Sequence, residues 1–426
     1  MGKTEREMRS GLIGEHLGHS YSKMIHGHIA EYSYELVELP EEKVGDFVKN
    51  GGLDCFNVTI PYKKTVIPYL DTVSPEASRI GAVNTVVRRE NGRLEGYNTD
   101  YFGFDATVSR LGVDIRGKKA VVLGSGGASV TVAAVLADRG AAEVITVGRR
   151  LDNNYENLYR HYDARLIVNA TPVGMYPKNG EKPVSLADFT QLEGVIDLIY
   201  NPEKTALLLE AEKLGIPFIN GLYMLSAQAV KAYELFTDTS ADGSLAANVT
   251  DYIRGMTENI VLIGMAGCGK TTVGGRLAVL TGRKFADADE AFTVTYGITP
   301  AEAIETKGED EFRNMETQVL SQLCRESGYV IACGGGVVTR ERNRDIMAQN
   351  GIIVYVKRDI SKLDTTGRPL SQRHSVQKLF EQRREAYERF ADYSVENEKS
   401  PEETAEAIVE VIKGEAKNEN TCYKRT

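Results

Sequence analysis

The sequence predicts an α/β chain built on parallel sheets, with a glycine-rich strand-to-helix turn in each half. Three observations carry that expectation. Short apolar runs alternate with helix-spaced segments along most of the chain, the pattern of stacked βα units. The turn Gly124-Ser125-Gly126-Gly127-Ala128-Ser129 follows the apolar run AVVL and opens a helical stretch. A second glycine-rich turn, Gly264 to Thr271, likewise sits between a strand pattern and a helix pattern. At roughly 150 residues per domain, 426 residues make two or three domains rather than one core.

The elements follow in order. GLIGE (11–15), YELVELP (34–40) and CFNVTI (55–60) read as strands, with SKMIHGHIAEY and EEKVGDFVKNG as helices between them. NTVVRRENGRLEGYNTD holds two strand-like segments around Asn91-Gly92, a hairpin signal, so an antiparallel appendage is expected there. From Lys118 the strands AVVLG, EVITVG, RLIVNAT, GVIDLI and IPFIN alternate with helical stretches such as TALLLEAEKLG, which implies a doubly wound, Rossmann-type sheet. Tyr223 to Phe236 reads as an amphipathic helix, and residues 237–259 hold turn residues and one further helical stretch. A new α/β unit starts with NIVLIG at 259–264, so the join is placed near Gly255–Glu258. The last helix is expected to end at Gly414, with 415–426 a disordered polar tail. The domains are thus 1–256 (substrate part 10–103 plus 222–256, nucleotide part 104–221) and 257–414, and a cut at the join is expected to leave each half working.

Composition excludes several function classes. The net charge is −9, and both halves are negative, where a nucleic-acid or anionic-membrane binder carries a basic excess. Five cysteines are scattered with no CxxC pair, which fits neither a disulfide framework nor a zinc site and points to the cytoplasm. The first ten residues lack an apolar signal core. The uncharged stretch Ala120–Ala137 has GSGGAS in its middle, which belongs to a turn rather than a membrane helix.

In the second half, Gly264-Met265-Ala266-Gly267-Cys268-Gly269-Lys270-Thr271 matches G-x-x-x-x-G-K-[ST]. Such a P-loop wraps phosphates in backbone N–H groups, its lysine reaches the β/γ oxygens, and its hydroxyl ligates Mg²⁺. Asp287-Ala-Asp289 follows a strand-like KFA, Gly334-Gly335-Gly336 follows YVIAC, and Arg313, Arg368 and Arg383 stand in EFRNMET, GRPL and EQRREAY. A lone arginine is more often a solvated surface charge. Together with the P-loop, this order and spacing resembles the shikimate kinase family over residues 258–414. The resemblance implies ATP on Ala266, Gly267, Cys268, Gly269, Lys270, Thr271, Thr272 and the lid arginine Arg368, with Mg²⁺ on Thr271 and Asp287. It makes Asp289 the base toward the attacking hydroxyl, Arg313, Arg383 and Gly335 the pocket for the carboxylate of shikimate, and Arg368 the group that stabilises the transferring phosphoryl. Arg384 is the neighbouring alternative to Arg383, which fits the family spacing to Tyr387. The stretch KRDISKLDTTGRPL is shorter than the family pattern.

In the first half, a turn like GSGGAS sets a pyrophosphate at a helix N-terminus. The next strand ends in Gly148-Arg149-Arg150, with no acid at its tip, so a 2′-phosphate and hence NADP is favoured over NAD. Upstream stand four polar clusters: Ser20-Tyr-Ser22, Asn57-Val-Thr59-Ile-Pro-Tyr-Lys63, Gly81-Ala-Val-Asn84 and Asn98-Thr-Asp100. Asn57 and Thr59 alternate with Phe56, Val58 and Ile60, which predicts one polar strand face. Singly, turn or cap chemistry explains each cluster. In this order before GSGGAS, and with NATPVGM, Asp197-Leu-Ile-Tyr200 and Gly221-Leu-Tyr-Met-Leu-Ser-Ala-Gln228 downstream, they resemble the shikimate dehydrogenase family over residues 10–256. The resemblance implies that Ser20 and Ser22 bind the carboxylate of 3-dehydroshikimate. Asn57, Thr59, Asn84, Tyr200 and Gln228 would hold its ring substituents or position the site, and Lys63 and Asp100 would form the catalytic pair. NADP(H) would lie along Gly124, Ser125, Gly126, Gly127, Ala128, Arg149, Arg150, Leu198 and Gly221. Asn220 stands where the family has an acid, and Tyr223 where it has a glycine. The two resemblances imply a bifunctional enzyme acting on small molecules, the product of one half being the substrate of the other. The alternative is an active kinase beside a dehydrogenase-like domain that only binds ligand or uses quinate.

Overall fold

The computed structural model describes residues 4–18, 20–363 and 376–416. Two compact units divide the chain: one comprises Met1–Pro172, Pro183–Tyr200 and Glu210–Ile253, the other Val173–Lys182, Asn201–Leu209 and Arg254–Thr426. Among the described residues, no helix is long and apolar enough to cross a membrane.

The first unit contains two sheets. The first is built of β1 (Arg9–Gly14), β2 (Ser33–Glu38), β3 (Cys55–Val58), β4 (Thr72–Val73), β5 (Thr85–Arg88) and β6 (Leu94–Tyr97), in the order β2-β1-β3-β5-β6-β4. β1 lies parallel to β2 and β3, and β5 runs antiparallel to both β3 and β6. The hairpin around Asn91-Gly92 is therefore an integral part of this sheet and not an appendage, because β5 pairs directly with β3. The expected strand 55–60 stops at Val58 and Ile60 is 75% exposed. Pro61 offers no N–H to a ladder, so the chain leaves the sheet before Ile60 can join the apolar face.

The second sheet is wholly parallel: β7 (Lys119–Leu123), β8 (Glu143–Val147), β9 (Leu166–Asn169), β10 (Gly194–Asp197) and β11 (Phe218–Ile219), ordered β11-β10-β9-β7-β8. Strands β7, β9 and β10 are buried almost throughout, as a sheet covered on both faces requires. The chain steps from β7 to β8, then crosses back to β9. That makes the C-terminal ends of β7 and β9 the switch point where ligands of such sheets bind. The stretch Ala120–Ala137 is strand β7, a turn and the helix Gly127–Asp138. Helices Thr99–Leu111 and Leu222–Thr237 cross at Gly103, where a Cβ would stand 2.7 Å from the Met224 carbonyl oxygen.

The other unit carries a parallel sheet of β12 (Asn259–Ile263), β13 (Lys284–Asp287), β14 (Tyr329–Ala332), β15 (Gly351–Lys357) and β16 (Tyr393–Glu396), ordered β13-β14-β12-β15-β16. Its central strand β12 feeds the glycine-rich turn into helix Lys270–Thr281. Two segments from before the expected join belong to this unit. The Lys204 N–H donates to the Gln349 carbonyl at 2.7 Å and Gln349 Nε2 donates to the Asn179 carbonyl at 2.6 Å. Tyr176 donates to the Cys324 carbonyl at 3.1 Å, and Arg254 pairs with buried Glu203 at 2.8 Å. The last helix, Pro401–Ala416, passes the expected end at Gly414, since a single glycine costs a helix only about 1 kcal/mol. Residues 417–426 of the expected tail lie outside the described residues.

Candidate active sites

At the end of β3 the chain turns through Thr59 to Lys63. The Thr59 N–H donates to the Ile13 carbonyl and the Tyr62 N–H to the Thr59 carbonyl, at 3.0 and 2.9 Å. This turn brings Lys63 Nζ to 2.6 Å from Asp100 Oδ2. Asp100 lies in the first turn of helix Thr99–Leu111, which Asn98 caps through the Tyr101 N–H at 3.1 Å. A carboxylate is favoured there by the helix dipole.

Around this pair the polar residues form one network. Asn84 Oδ1 accepts the Thr99 N–H at 2.7 Å, which fixes the orientation of the amide. Thr99 Oγ1 lies 3.0 Å from Thr85 Oγ1 and 3.3 Å from Gln228 Oε1. Asn57 Nδ2 donates to Thr85 Oγ1 at 3.0 Å, while Asn57 Oδ1 accepts the Tyr34 hydroxyl at 2.7 Å. Asn57 is buried and spends its amide on protein partners, so its place is that of a strut. Ser20 Oγ donates to Ser22 Oγ at 3.1 Å. Between them in sequence, Tyr21 sets its ring 5.4 Å from that of Tyr200. Burial, with Tyr21 adding, raises the Tyr200 hydroxyl above its ordinary pKa, so it remains a proton donor.

The nucleotide turn lies at the switch point. The Gly124 N–H donates to the Val147 carbonyl at 2.8 Å, tying the end of β7 to the end of β8. Gly124 has φ +108 and a Cβ there would come 2.9 Å from the Ala170 carbonyl oxygen, so both the conformation and the close approach call for glycine. Ser125, Gly126, Gly127 and Ala128 are exposed, and Gly126 caps helix Gly127–Asp138 with no side-chain hydrogen bond. This leaves N–H groups for an anion. Ser129, in the third-glycine position, is buried and donates to the Gly126 carbonyl at 2.6 Å. Arg149 and Arg150 are exposed beyond β8, beside this turn. Leu198 and Gly221 meet: the Gly221 N–H donates to the Ile199 carbonyl at 3.1 Å.

In the other unit, Gly269 opens helix Lys270–Thr281 at φ +98, again with no side-chain cap. Lys270 is buried and its Nζ donates to the carbonyls of Gly264 and Met265, both at 2.9 Å. This keeps the ammonium inside the loop formed by Ala266, Gly267 and Cys268, with Thr272 on the helix behind it. Thr271 Oγ1 donates to Asp287 Oδ2 at 2.7 Å, uniting the hydroxyl and the carboxylate assigned to one metal. Asp287 also caps helix Ala288–Tyr296 through the Asp289 N–H at 2.9 Å.

The glycine run 334–336 gathers the rest. A Cβ on Gly334 would stand 3.0 Å from Asp289 Oδ1, and on Gly335 2.7 Å from the Ala266 nitrogen; on Gly336 it would collide with the Arg313 guanidinium. Arg383 Nη1 donates to the Gly335 carbonyl at 3.2 Å. Arg383 is buried whereas Arg384 is exposed, so the two alternatives point to different sides of helix Val376–Phe390. Arg313 is held by Glu316 at 2.9 Å and Glu309 at 3.2 Å. Burial works against its charge, and the two carboxylates more than offset that and raise its pKa. Burial also pushes the Glu316 carboxyl above the usual range against the pull of Arg313. Among the described residues, Arg313 Nε and Glu316 Oε1 are buried without a hydrogen-bond partner. Such orphaned groups suit a polar ligand. Arg368 lies outside the described residues.

Sequence reasoning missed several participants. Glu309 and Glu316 stand four before and three after Arg313 on one helix face, a spacing that could have revealed them. Tyr387 donates to the Gly335 carbonyl, a contact that its spacing from Arg383 alone does not reveal. Asn397 Nδ2 donates to the Cys268 carbonyl at 2.7 Å, and a Cβ on Gly269 would stand 3.6 Å from Arg358 Nη1. Both residues follow strand ends, where no motif marks them. Tyr34, Thr85 and Thr99 carry no local signal, because their partners are remote in sequence.

Fold and sites together define a class: a dinucleotide-type unit with an ammonium–carboxylate pair, joined to a P-loop phosphotransferase unit. Comparison with known proteins narrows it. Residues 12–86 match the family model "Shikimate dehydrogenase substrate binding domain", and residues 266–413 match "Shikimate kinase". The shikimate dehydrogenase (NADP(+)) of Clostridium beijerinckii is 37% identical over 255 residues, covering 55% of this chain and 94% of that protein. The crystal structure of shikimate dehydrogenase 1 from Peptoclostridium difficile is 40% identical with a TM-score of 0.53, covering 57% of this chain and 97% of that one. Shikimate 5-dehydrogenase of Thermus thermophilus, in complex with NADP(H) and shikimate, is 33% identical with a TM-score of 0.52, covering 57% and 99%. The chain belongs to the shikimate dehydrogenase family and carries a shikimate kinase domain in its C-terminal half, which makes it a bifunctional enzyme of the shikimate pathway.

Proposed function

We propose that the N-terminal unit reduces 3-dehydroshikimate to shikimate with NADPH and that the C-terminal unit phosphorylates shikimate to shikimate 3-phosphate with ATP and Mg²⁺, both in the cytoplasm. The observation that carries the reading is the contact of Lys63 with Asp100 at 2.6 Å inside the network of Asn84, Thr99 and Gln228. Its counterpart is the convergence of Asp289, Arg313 and Arg383 on the glycine run 334–336. The uncapped helix start at Gly126 and the arginines beyond β8 fit a dinucleotide with a 2′-phosphate.

The turn Gly124–Ala128 with Arg149 and Arg150 would hold NADPH, which would supply the hydride. Ser20 and Ser22 hold the substrate carboxylate, and Asn84 and Gln228 orient the ring hydroxyls. As the carbonyl oxygen gains charge, the Lys63 ammonium gives it a proton, and Asp100 steadies the ammonium and accepts from the adjacent hydroxyl. Lys63 is about one third exposed, with a side-chain exposure of 30%, so water restores its proton. In the kinase unit the P-loop would hold ATP as the phosphoryl donor, and Thr271 and Asp287 would hold a Mg²⁺ ion that would offset the phosphate charge. Lys270 steadies the phosphate oxygens, Arg368 the transferring group. Arg313 and Arg383 clamp the shikimate carboxylate, and Asp289 takes the proton of the attacking hydroxyl.

The alternative, a kinase beside a ligand-binding relic, is disfavoured because the Lys63–Asp100 pair is intact. The test is a coupled assay: purified protein with 3-dehydroshikimate, NADPH and ATP should yield shikimate 3-phosphate. Stalling at shikimate sinks the kinase assignment. Lack of NADPH oxidation with phosphorylation of added shikimate intact sinks the reductase one, and activity on quinate alone replaces its substrate.

A further inference from the structure

The P-loop has a second cation beside it. Arg358, the residue that follows β15, holds its Nη1 3.6 Å from where a Cβ on Gly269 would stand. Gly269 opens helix Lys270–Thr281, so this guanidinium lies by the positive end of a helix, where a cation is disfavoured and an anion favoured. The loop is braced in that place. Asn397 Nδ2 donates to the Cys268 carbonyl at 2.7 Å and Asn397 Oδ1 accepts the Thr404 hydroxyl at 2.9 Å, which ties the loop to helix Pro401–Ala416.

The carboxylates around Arg358 do not neutralise it. Asp359 Oδ1 accepts the Ser361 N–H at 2.9 Å and the Ser361 hydroxyl at 2.7 Å. Glu398 accepts the Asp359 N–H at 2.8 Å and pairs with Lys362. Glu388 and Glu396 line the same cleft as Arg358, yet among the described residues neither forms an ion pair with it. Arg358 Nε is buried without a hydrogen-bond partner, again among the described residues. Lys270, by contrast, spends its ammonium on two carbonyls. Arg358 is half-buried and its cleft measures about 850 Å³, so the guanidinium is open to a ligand rather than locked in the core.

We propose that Arg358 is a further nucleotide-binding residue of the kinase unit, its guanidinium contacting a phosphate oxygen of the nucleoside triphosphate seated in the loop Gly264–Thr271. The proposal rests on the reading of that loop as the ATP site. A guanidinium fork suits phosphate oxygens, and a bound phosphate supplies the negative charge that Arg358 and the helix end both lack. The residue therefore weakens the empty protein slightly and contributes only when nucleotide is present.

The experiment uses the full chain with Arg358→Ala and Arg358→Lys. At saturating shikimate, Arg358→Ala should raise the KM for ATP about ten-fold or more, the scale of a charge-assisted contact, and leave the KM for shikimate within about twofold. Arg358→Lys, which keeps the charge and loses the fork, should fall between. Calorimetric titration, with NADP⁺ present to fill the other nucleotide site, should show the same loss for ADP with Mg²⁺ and less than about twofold for adenosine, which carries no phosphate. Without nucleotide, Arg358→Ala should melt at the wild-type temperature or above it, since a cation has left the positive helix end, and the rise on adding ADP should shrink. An unchanged ADP affinity, an equal loss of ADP and adenosine, or a nucleotide-free melting temperature below wild type would overturn the proposal. A wild-type chain that binds ADP but leaves shikimate unphosphorylated would sink the kinase reading alone, because the ADP titration decides Arg358 separately.

Discussion

Lys63 Nζ and Asp100 Oδ2 stand 2.6 Å apart although 37 residues separate them in sequence. Neither side chain is fully enclosed, at 30% and 21% exposure, so the pair is close enough to share a proton network and open enough to refill it.

Lys63→Ala should therefore lower reduction by about 10²–10⁴-fold, the range of a lost general acid, and leave phosphorylation of added shikimate near wild type. Measuring both activities on one preparation decides it. Equal loss of both in a folded protein would contradict a site confined to one unit.

Arg383→Ala should raise the KM for shikimate by about ten-fold or more, because a charge-assisted contact contributes about 1.5–3 kcal/mol. Arg384→Ala, altering an exposed residue on another side of the helix, should change it less than about twofold, as surface substitutions away from a site usually do. The reverse ranking would move the carboxylate contact to Arg384.

Arg149→Ala should weaken NADPH far more than NADH, since only the former carries the 2′-phosphate that a guanidinium beyond β8 would meet. Steady-state KM values for both nucleotides test this. A wild-type enzyme that already prefers NADH refutes it. A small effect that becomes large once Arg150→Ala is added assigns the contact to both arginines.

His26 makes the first unit acid-sensitive. Burial pushes its pKa down to about 3, below the roughly 6.5 of an unfolded histidine. Between these values the unfolded chain binds a proton that the folded chain refuses, so stability falls as pH drops below about 6.5. At pH 5 the loss is about 2 kcal/mol. Thermal inactivation of the dehydrogenase activity should show a flatter dependence between pH 7 and 5 in His26→Gln than in wild type. Parallel profiles would exclude His26 as the cause.

A kinase fragment begun at residue 257 lacks Tyr176, Asn179 and Lys204, all of which hydrogen-bond within the compact unit. It should be less stable than the same unit in the full chain. Each hydrogen bond lost contributes about 0.5–1.5 kcal/mol, and Gln349, at 4% exposure in the full chain, loses its cover as well. Thermal inactivation of kinase activity in fragment and full chain measures it. A fragment as stable as the full chain would show that these bonds contribute nothing.

What could be read without the structure were the features whose signal is local. Strand–turn–helix order with glycines at Gly124 and Gly269 is written in consecutive residues, because the backbone there needs left-handed φ, at +108 and +98, and close approach. The same holds for the P-loop Lys270–Thr271 and for the polar clusters around Ser20, Asn57, Asn84 and Asp100. Tertiary structure alone decided which of these side chains face a ligand and which face each other. Asn57 lies in a motif, yet its amide is taken up by Tyr34 and Thr85, whose strands join β3 in one sheet only through parallel and antiparallel pairing of distant segments. Arg383 and Arg384 are indistinguishable as letters; the helix axis buries one and exposes the other. The join likewise reads as a short seam near Gly255, yet residues 173–182 and 201–209 belong to the kinase unit. Their hydrogen bonds to Gln349 close over 170 residues from Asn179 and 145 from Lys204, separations that no local pattern encodes.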